Sequence, residues 1–202
     1  MRILVLFIVF LMAGCSSQPA PKTYFIALQH TTDPGQNSST MGSGGACALG
    51  INRVSLADYL NTHGLLYQTS PQELAVARQH LWAGSLAEQI QFRLNNLLSQ
   101  SCSLPARLSL LTNEQTNLGQ LDLTVTEFYG SYTGEAVVGG RWRLMDKMQQ
   151  VRFEQPFQYR IALPEEGYTA LVSSMDKGLM QLADDIRLMA PSHMSAQLSS
   201  AQ

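Results

Sequence analysis

The sequence predicts an α+β fold in one domain, a mainly antiparallel mixed sheet with two principal helices packed on one face. Two stretches, Leu86 to Ser99 and Tyr168 to Met189, set apolar residues at the 3.6-residue spacing that gives a helix one apolar stripe. Other runs, bounded by Gly, Pro, Asn and Asp, are short and apolar or alternate with the period of two that belongs to a half-buried strand. Length sets the domain count: if the first 14 residues are removed, 188 of the 202 remain, enough for a sizeable core.

In chain order, Ser17 to Lys22 is a short proline-bearing tether and Tyr24 to Leu28 a compact strand. His30 to Gly45 contains Asp33-Pro34-Gly35 and Gly42-Ser43-Gly44-Gly45 without apolar period, so it is a loop. It lacks the GxxxxGK[ST] pattern and the following helix of a phosphate cradle. Ala46 to Leu56 alternates as a second strand, Ser55 to Leu60 turns the chain, and Leu65 to Thr69 is a third strand. Leu74 to Trp82 is ambiguous. Ser70-Pro71-Gln72-Glu73 has the form of a capping box, yet the apolar spacing loses phase at Gly84. Ser85-Leu86-Ala87-Glu88 is a second capping box, and Leu86, Ile90, Leu94, Leu97 and Leu98 keep helical period behind it.

Beyond Cys102 the pattern turns to sheet. Pro105 to Thr112 is an apolar strand, Leu121 to Val125 alternates cleanly, and Ala136 to Met145 and Gln150 to Ile161 complete a meander of long hairpins. Pro164-Glu165-Glu166-Gly167 ends the sheet with acidic residues at a helix start. Tyr168, Leu171, Val172, Met175, Leu179, Leu182, Ile186 and Met189 then form one stripe that lies on the sheet, and Pro191 to Gln202 is a polar tail expected to fray.

The first residues carry an address. Arg2 supplies a positive charge, Ile3 to Met12 is an apolar run too short to span a bilayer, and Ala13-Gly14 puts small residues before Cys15. Leu11-Met12-Ala13-Gly14-Cys15 is similar to a bacterial lipobox with Met12 where Leu is usual, which predicts cleavage after residue 14 and lipidation of the Cys15 thiol. Ser16 stands where inner-membrane retention typically wants Asp, so by resemblance to sorted lipoproteins the destination is the outer membrane. The expected layout is a signal peptide over 1–14, a lipidated tether over 15–22, a domain over 23–190 and a tail over 191–202.

Composition excludes some classes. The formal charge of −2 comes without any basic block, so no nucleic-acid footprint is present. Charged residues are 14% of the chain, a weakly charged surface that suits protein partners or a homo-oligomer. With Cys15 lipidated, Cys47 and Cys102 remain, either bridged in an oxidising compartment or as two buried thiols, and neither has CxxC spacing. His30, His63, His80 and His193 form no HExxH or i,i+4 pair, so neither a metal nor a cofactor is expected. Ser85 has no GxSxG around it and is a helix cap; Asp184-Asp185 is an acidic pair on a solvated face. No nucleophile is nominated. Trp82 and Trp142 are candidates for interface or core anchors, and the methionines of the last helix could pack in the core or touch acyl chains.

Several segments in fixed order resemble the PqiC/YmbA family of auxiliary lipoproteins for ABC-type and MCE-type membrane transport. They are Val54-Ser55-Leu56-Ala57-Asp58-Tyr59-Leu60, Leu81-Trp82-Ala83-Gly84-Ser85-Leu86, Gly140-Arg141-Trp142-Arg143-Leu144 and Tyr168-Thr169-Ala170-Leu171-Val172. Ala57 replaces the family's proline, Leu81 its arginine, and Gly84-Ser85 its Glu-Pro pair. The resemblance implies that Leu74 to Trp82 is a strand paired with Leu65 to Thr69, with Ser70 to Glu73 as the turn. It also adds Tyr59 to the candidate anchors. It implies a non-catalytic outer-membrane subunit of a lipid-transport and membrane-integrity system, docking an MCE-type periplasmic protein and, through it, inner-membrane transporter components. A periplasmic lipid carrier with a cavity between helices and sheet is the alternative.

Overall fold

The computed structural model describes residues 20–26, 49–100, 119–145 and 148–198. Cys15, Cys47, Cys102, His30 and the expected strand Pro105 to Thr112 lie outside them. Among the described residues seven strands form one mixed sheet: β1 (Lys22–Tyr24), β2 (Leu49–Leu56), β3 (Gly64–Ser70), β4 (Glu73–Trp82), β5 (Gly119–Gly130), β6 (Glu135–Met145) and β7 (Val151–Ala162). Helix α1 (Leu86–Gln100) follows β4 and helix α2 (Tyr168–Leu198) follows β7. The path across the sheet is β1-β4-β3-β5-β6-β7, and β2 joins β5 on the edge that β3 also reaches. The β3–β4, β5–β6 and β6–β7 pairs are antiparallel, whereas β1–β4 and β2–β5 are parallel.

The ambiguous stretch resolves as β4. Ser70 pairs with Glu73 across a two-residue turn that begins with Pro71, and Leu66 faces Val76. Proline's fixed φ suits the first turn position as well as it suits a helix start, so Ser-Pro-Gln-Glu is a degenerate signal. The expected strand Tyr24 to Leu28 is displaced. β1 ends at Tyr24 because its partner β4 ends at Trp82, where Ala83 N–H donates to the Tyr24 carbonyl at 2.8 Å. Lys22, expected in the tether, is the first residue of that strand.

Both helices lie on one face of the sheet. Leu86, Ile90, Leu94, Leu97 and Leu98 of α1 and Leu171, Val172, Met175, Leu179, Leu182 and Ile186 of α2 are all buried there. They meet Leu121, Leu123, Val125 and Phe128 of β5 and Val138, Trp142 and Leu144 of β6 in one continuous core. Gly178 lets α2 descend onto β6, since a Cβ there would sit 2.8 Å from Val138 Cγ2. Ser85 caps α1 as expected, its Oγ accepting from Glu88 N–H at 3.4 Å. The backbone of α2 continues through Pro191 to Leu198, past the point near Met189 where the apolar stripe ends and a frayed tail is expected.

A row of amides on α1 covers an edge of β2. Asn95 Oδ1 accepts from Ile51 N–H at 2.9 Å, and Gln91 Nε2 donates to the Ile51 and Asn52 carbonyls at 3.2 and 3.1 Å. Gln89 Oε1 likewise accepts from Ile26 N–H at 3.0 Å. Backbone groups at a strand edge invite pairing with another chain, and side-chain amides remove that liability.

Candidate functional site

Among the described residues the helices occupy one face of the sheet and leave the other open, and the side chains of that open face follow from the period of two. Inward Trp142 is flanked by outward Arg141 and Arg143. Both guanidiniums converge on Glu154 of β7, Arg141 Nη1 at 2.8 Å from Oε1 and Arg143 Nε on Oε2. A hydrogen bond from Arg143, with the charges of both arginines, holds the Glu154 carboxyl below its ordinary range. On β2, Arg53 pairs with Asp122 of β5 at 3.2 Å, and Asp122 stands opposite Arg143 in register. The row Arg53, Asp122, Arg143, Glu154 therefore alternates in sign across four strands.

Farther along the same face β5 is interrupted. Val125 opposes Gly140 and Glu127 opposes Gly139, so Thr126 is an extra residue, a bulge. The hydroxyl of half-exposed Tyr59 donates to the freed Thr126 carbonyl, while Leu60 beside it is buried. Glu127 accepts from Tyr129 Oη at 3.2 Å on Oε1 and from Gln158 Nε2 at 2.7 Å on Oε2. Burial first, then the Glu127 charge, raises the pKa of both Tyr59 and Tyr129.

A second region lies where β1 enters the domain. Tyr24 Oη is 2.8 Å from His80 Nδ1, and the His80 ring stacks on Tyr168 at 3.7 Å, with Tyr67 edge-on to Tyr168 at 6.4 Å. Beside this cluster a cleft of about 220 Å³ opens between β1 and the first turns of α2, lined by Thr23, Tyr24, Phe25, Thr169, Val172 and Ser173. Asp176 also lines the cleft and is held by a two-pronged ion pair to Arg93 of α1, at 2.6 and 2.8 Å.

The residues nominated from the sequence separate by role. Trp82 is 7% exposed and packs on Phe128 at 6.0 Å; Trp142 is fully buried and packs on Phe153 at 5.1 Å. Both sit in the core. Tyr59, 49% exposed, stands on the open face. His80 is bound into the aromatic cluster and His63 is exposed on its turn. Among the described residues no three His, Cys, Asp or Glu side chains gather as a metal would need. The acidic pair Asp184-Asp185, which falls in the middle of α2, divides. Asp184 is exposed and pairs with Arg187 at 2.5 Å, whereas Asp185 turns to the sheet and accepts from Tyr159 Oη at 2.5 Å. Arg187 also donates to the Leu97 carbonyl near the end of α1. Among the described residues no helix is long and apolar enough to cross a membrane.

Tyr159 supplies a measurable consequence. Burial, with Asp185 beside it, raises its pKa above the usual value. A group whose folded pKa exceeds its unfolded one contributes fully below the unfolded pKa and loses that contribution as pH rises through the folded value. Tyr159→Phe is expected to cost about 1 kcal/mol at neutral pH by losing one hydrogen bond. It should also flatten the decline of stability above about pH 10, measured by urea unfolding at neutral and alkaline pH. An unchanged alkaline limb would mean that Tyr159 does not carry this linkage.

Fold and surface together define a class, a two-layer α+β module entered at its β1 edge, with a polar open sheet face opposite its helices. The chain belongs to the family of ABC-type transport auxiliary lipoprotein components, whose model matches residues 28–187. It is 31% identical to the intermembrane transport lipoprotein PqiC of Escherichia coli over 162 residues, 80% of this chain and 82% of that protein. PqiC of Shigella flexneri matches to the same extent. A crystal structure of an uncharacterized protein, 25% identical, superposes with a TM-score of 0.64 and covers 83% of this chain and 97% of its own. A Xanthomonas campestris protein of 16% identity shares the fold, with a TM-score of 0.63 over 90% of this chain and 100% of its own.

Proposed function

We propose that this chain is a non-catalytic lipoprotein subunit of an envelope lipid-transport and membrane-integrity system. Cys15 anchors it on the periplasmic face of the outer membrane, and the domain docks an MCE-type periplasmic protein that bridges from inner-membrane transporter components. The observation that carries this reading is the family match across residues 28–187, reinforced by the PqiC relatives. The order of signal peptide, tether and domain supports it, because the few residues after Cys15 lead directly into β1 at Lys22. The non-catalytic role is supported by the transport-auxiliary description of the family and by the transport lipoproteins it resembles.

Cys15→Ser is expected to leave the fold intact and to move the protein from the outer-membrane fraction to the soluble periplasm. Crosslinking in intact cells should recover an MCE-type protein with the lipidated chain and much less with Cys15→Ser. Full transport function in untethered protein, or recovery of outer-membrane assembly factors alone, would overturn the docking model.

A further inference from the structure

Glu127 is held on the open face by more constraints than a surface carboxylate needs. The bulge at Thr126 sets its position, and Gly139 opposite leaves it room, since a Cβ there would collide with Oε2 where it stands. Tyr129 and Gln158 hold one oxygen each, at 3.2 and 2.7 Å. Tyr59 stands at the bulge, 49% exposed, its hydroxyl proton committed to the Thr126 carbonyl and its oxygen left to accept. Arginines of the face are engaged with other carboxylates: Arg53 with Asp122, Arg141 and Arg143 with Glu154, and Arg160 with Glu135. Glu127 is thus a fixed carboxylate whose bonded neighbours are neutral donors.

We propose that Glu127 and Tyr59 form a socket for a lysine ammonium presented by the partner protein that docks on this face. The inference rests on the docking function proposed above and assigns it a contact. A carboxylate held by two neutral donors still has lone pairs to give, so a cation is its complement. The cation is ammonium rather than guanidinium. A guanidinium fork needs a free lone pair on both oxygens in one plane, whereas an ammonium needs only one and leaves the Tyr129 and Gln158 bonds in place. A compact ammonium needs one free lone pair on Glu127 and a second acceptor in the Tyr59 hydroxyl.

Zero-length carbodiimide coupling in envelopes that contain the native lipidated chain tests this, since the reagent joins a carboxylate to an amine in salt-bridge contact. The expected product is an isopeptide between Glu127 and a lysine of the MCE-type protein, identified by mass spectrometry. Glu127→Gln, which preserves shape, should lower co-purification of that protein about tenfold, and Glu127→Lys should abolish it. Glu165→Gln, on the exposed loop before α2, should leave it unchanged. Circular dichroism and thermal unfolding of Glu127→Gln should match the parent. If the MCE-type protein couples only through other carboxylates, or if Glu127→Gln binds normally, the socket is wrong and the docking function stands. If Glu127 couples instead to the amine of a phospholipid headgroup, the ligand is a lipid and the partner assignment is wrong. If no MCE-type protein couples or co-purifies at all, the docking function fails and the socket fails with it.

Discussion

Arg93→Met alone, or Asp176→Leu alone, is expected to destabilise the domain by about 3–5 kcal/mol, while the two together should restore most of that loss. The side chains are 3% and 8% exposed and meet in a fork, Nε to Oδ1 at 2.6 Å and Nη2 to Oδ2 at 2.8 Å, between the two helices. Desolvating both ions is unfavourable, and their attraction in this geometry offsets it. Removing one partner keeps the desolvation and deletes the attraction, leaving a bare charge beside stripes otherwise made of residues such as Ile90, Leu94, Met175 and Leu179. A domain of this kind is stable by about 5–15 kcal/mol, so either single change should bring it close to unfolding. The midpoint temperature should fall by about 10 °C, at roughly 2–4 °C per kcal/mol. Urea unfolding of the two single variants and the double closes a mutant cycle. Single losses under about 1 kcal/mol would mean that water reaches the pair and that apolar contacts alone join the helices.

That pair also marks the limit of what the chain discloses before it is folded. Each helix is legible because its stripe repeats at 3.6. Arg93 falls in phase with Leu86, Ile90 and Leu97, and Asp176 with Val172 and Leu179, so one ionic residue interrupts each stripe. Two opposite charges on two apolar stripes are the signal that could have found this interhelical pair. The hairpins of β5, β6 and β7 are legible for the same reason of period. The parallel pairing of β2 with β5 is not, since nothing local encodes a partner so far along the chain. The surroundings of Glu127 are hidden by the bulge. Alternation breaks at Thr126, and no residue type announces a bulge without its partner strand, so from sequence Glu127 is one more solvated carboxylate. Tyr59 is nominated by the resemblance of its segment, whereas its hydrogen bond to Thr126 depends on a contact that only the fold creates.

Trp142→Ala should be as damaging as breaking the ion pair, at about 3–5 kcal/mol, although its chain neighbours on both sides are charges of the open face. Its ring is fully buried and tilts against Phe153 at 5.1 Å on β7, while Leu123 stands beside it on β5. Truncation would leave a cavity under the middle of β6, and a strand held by neighbours on both sides cannot collapse into it. By contrast, Arg141→Ala and Arg143→Ala remove half-exposed partners of Glu154, and each should cost only a small part of the Trp142 loss. The three adjacent residues thus make a sharp test of which side of the sheet holds the domain together. If the arginine variants lost more stability than Trp142→Ala in urea unfolding, the charged face would be structural. Its availability for a partner, on which the Glu127 socket depends, would then have to be abandoned.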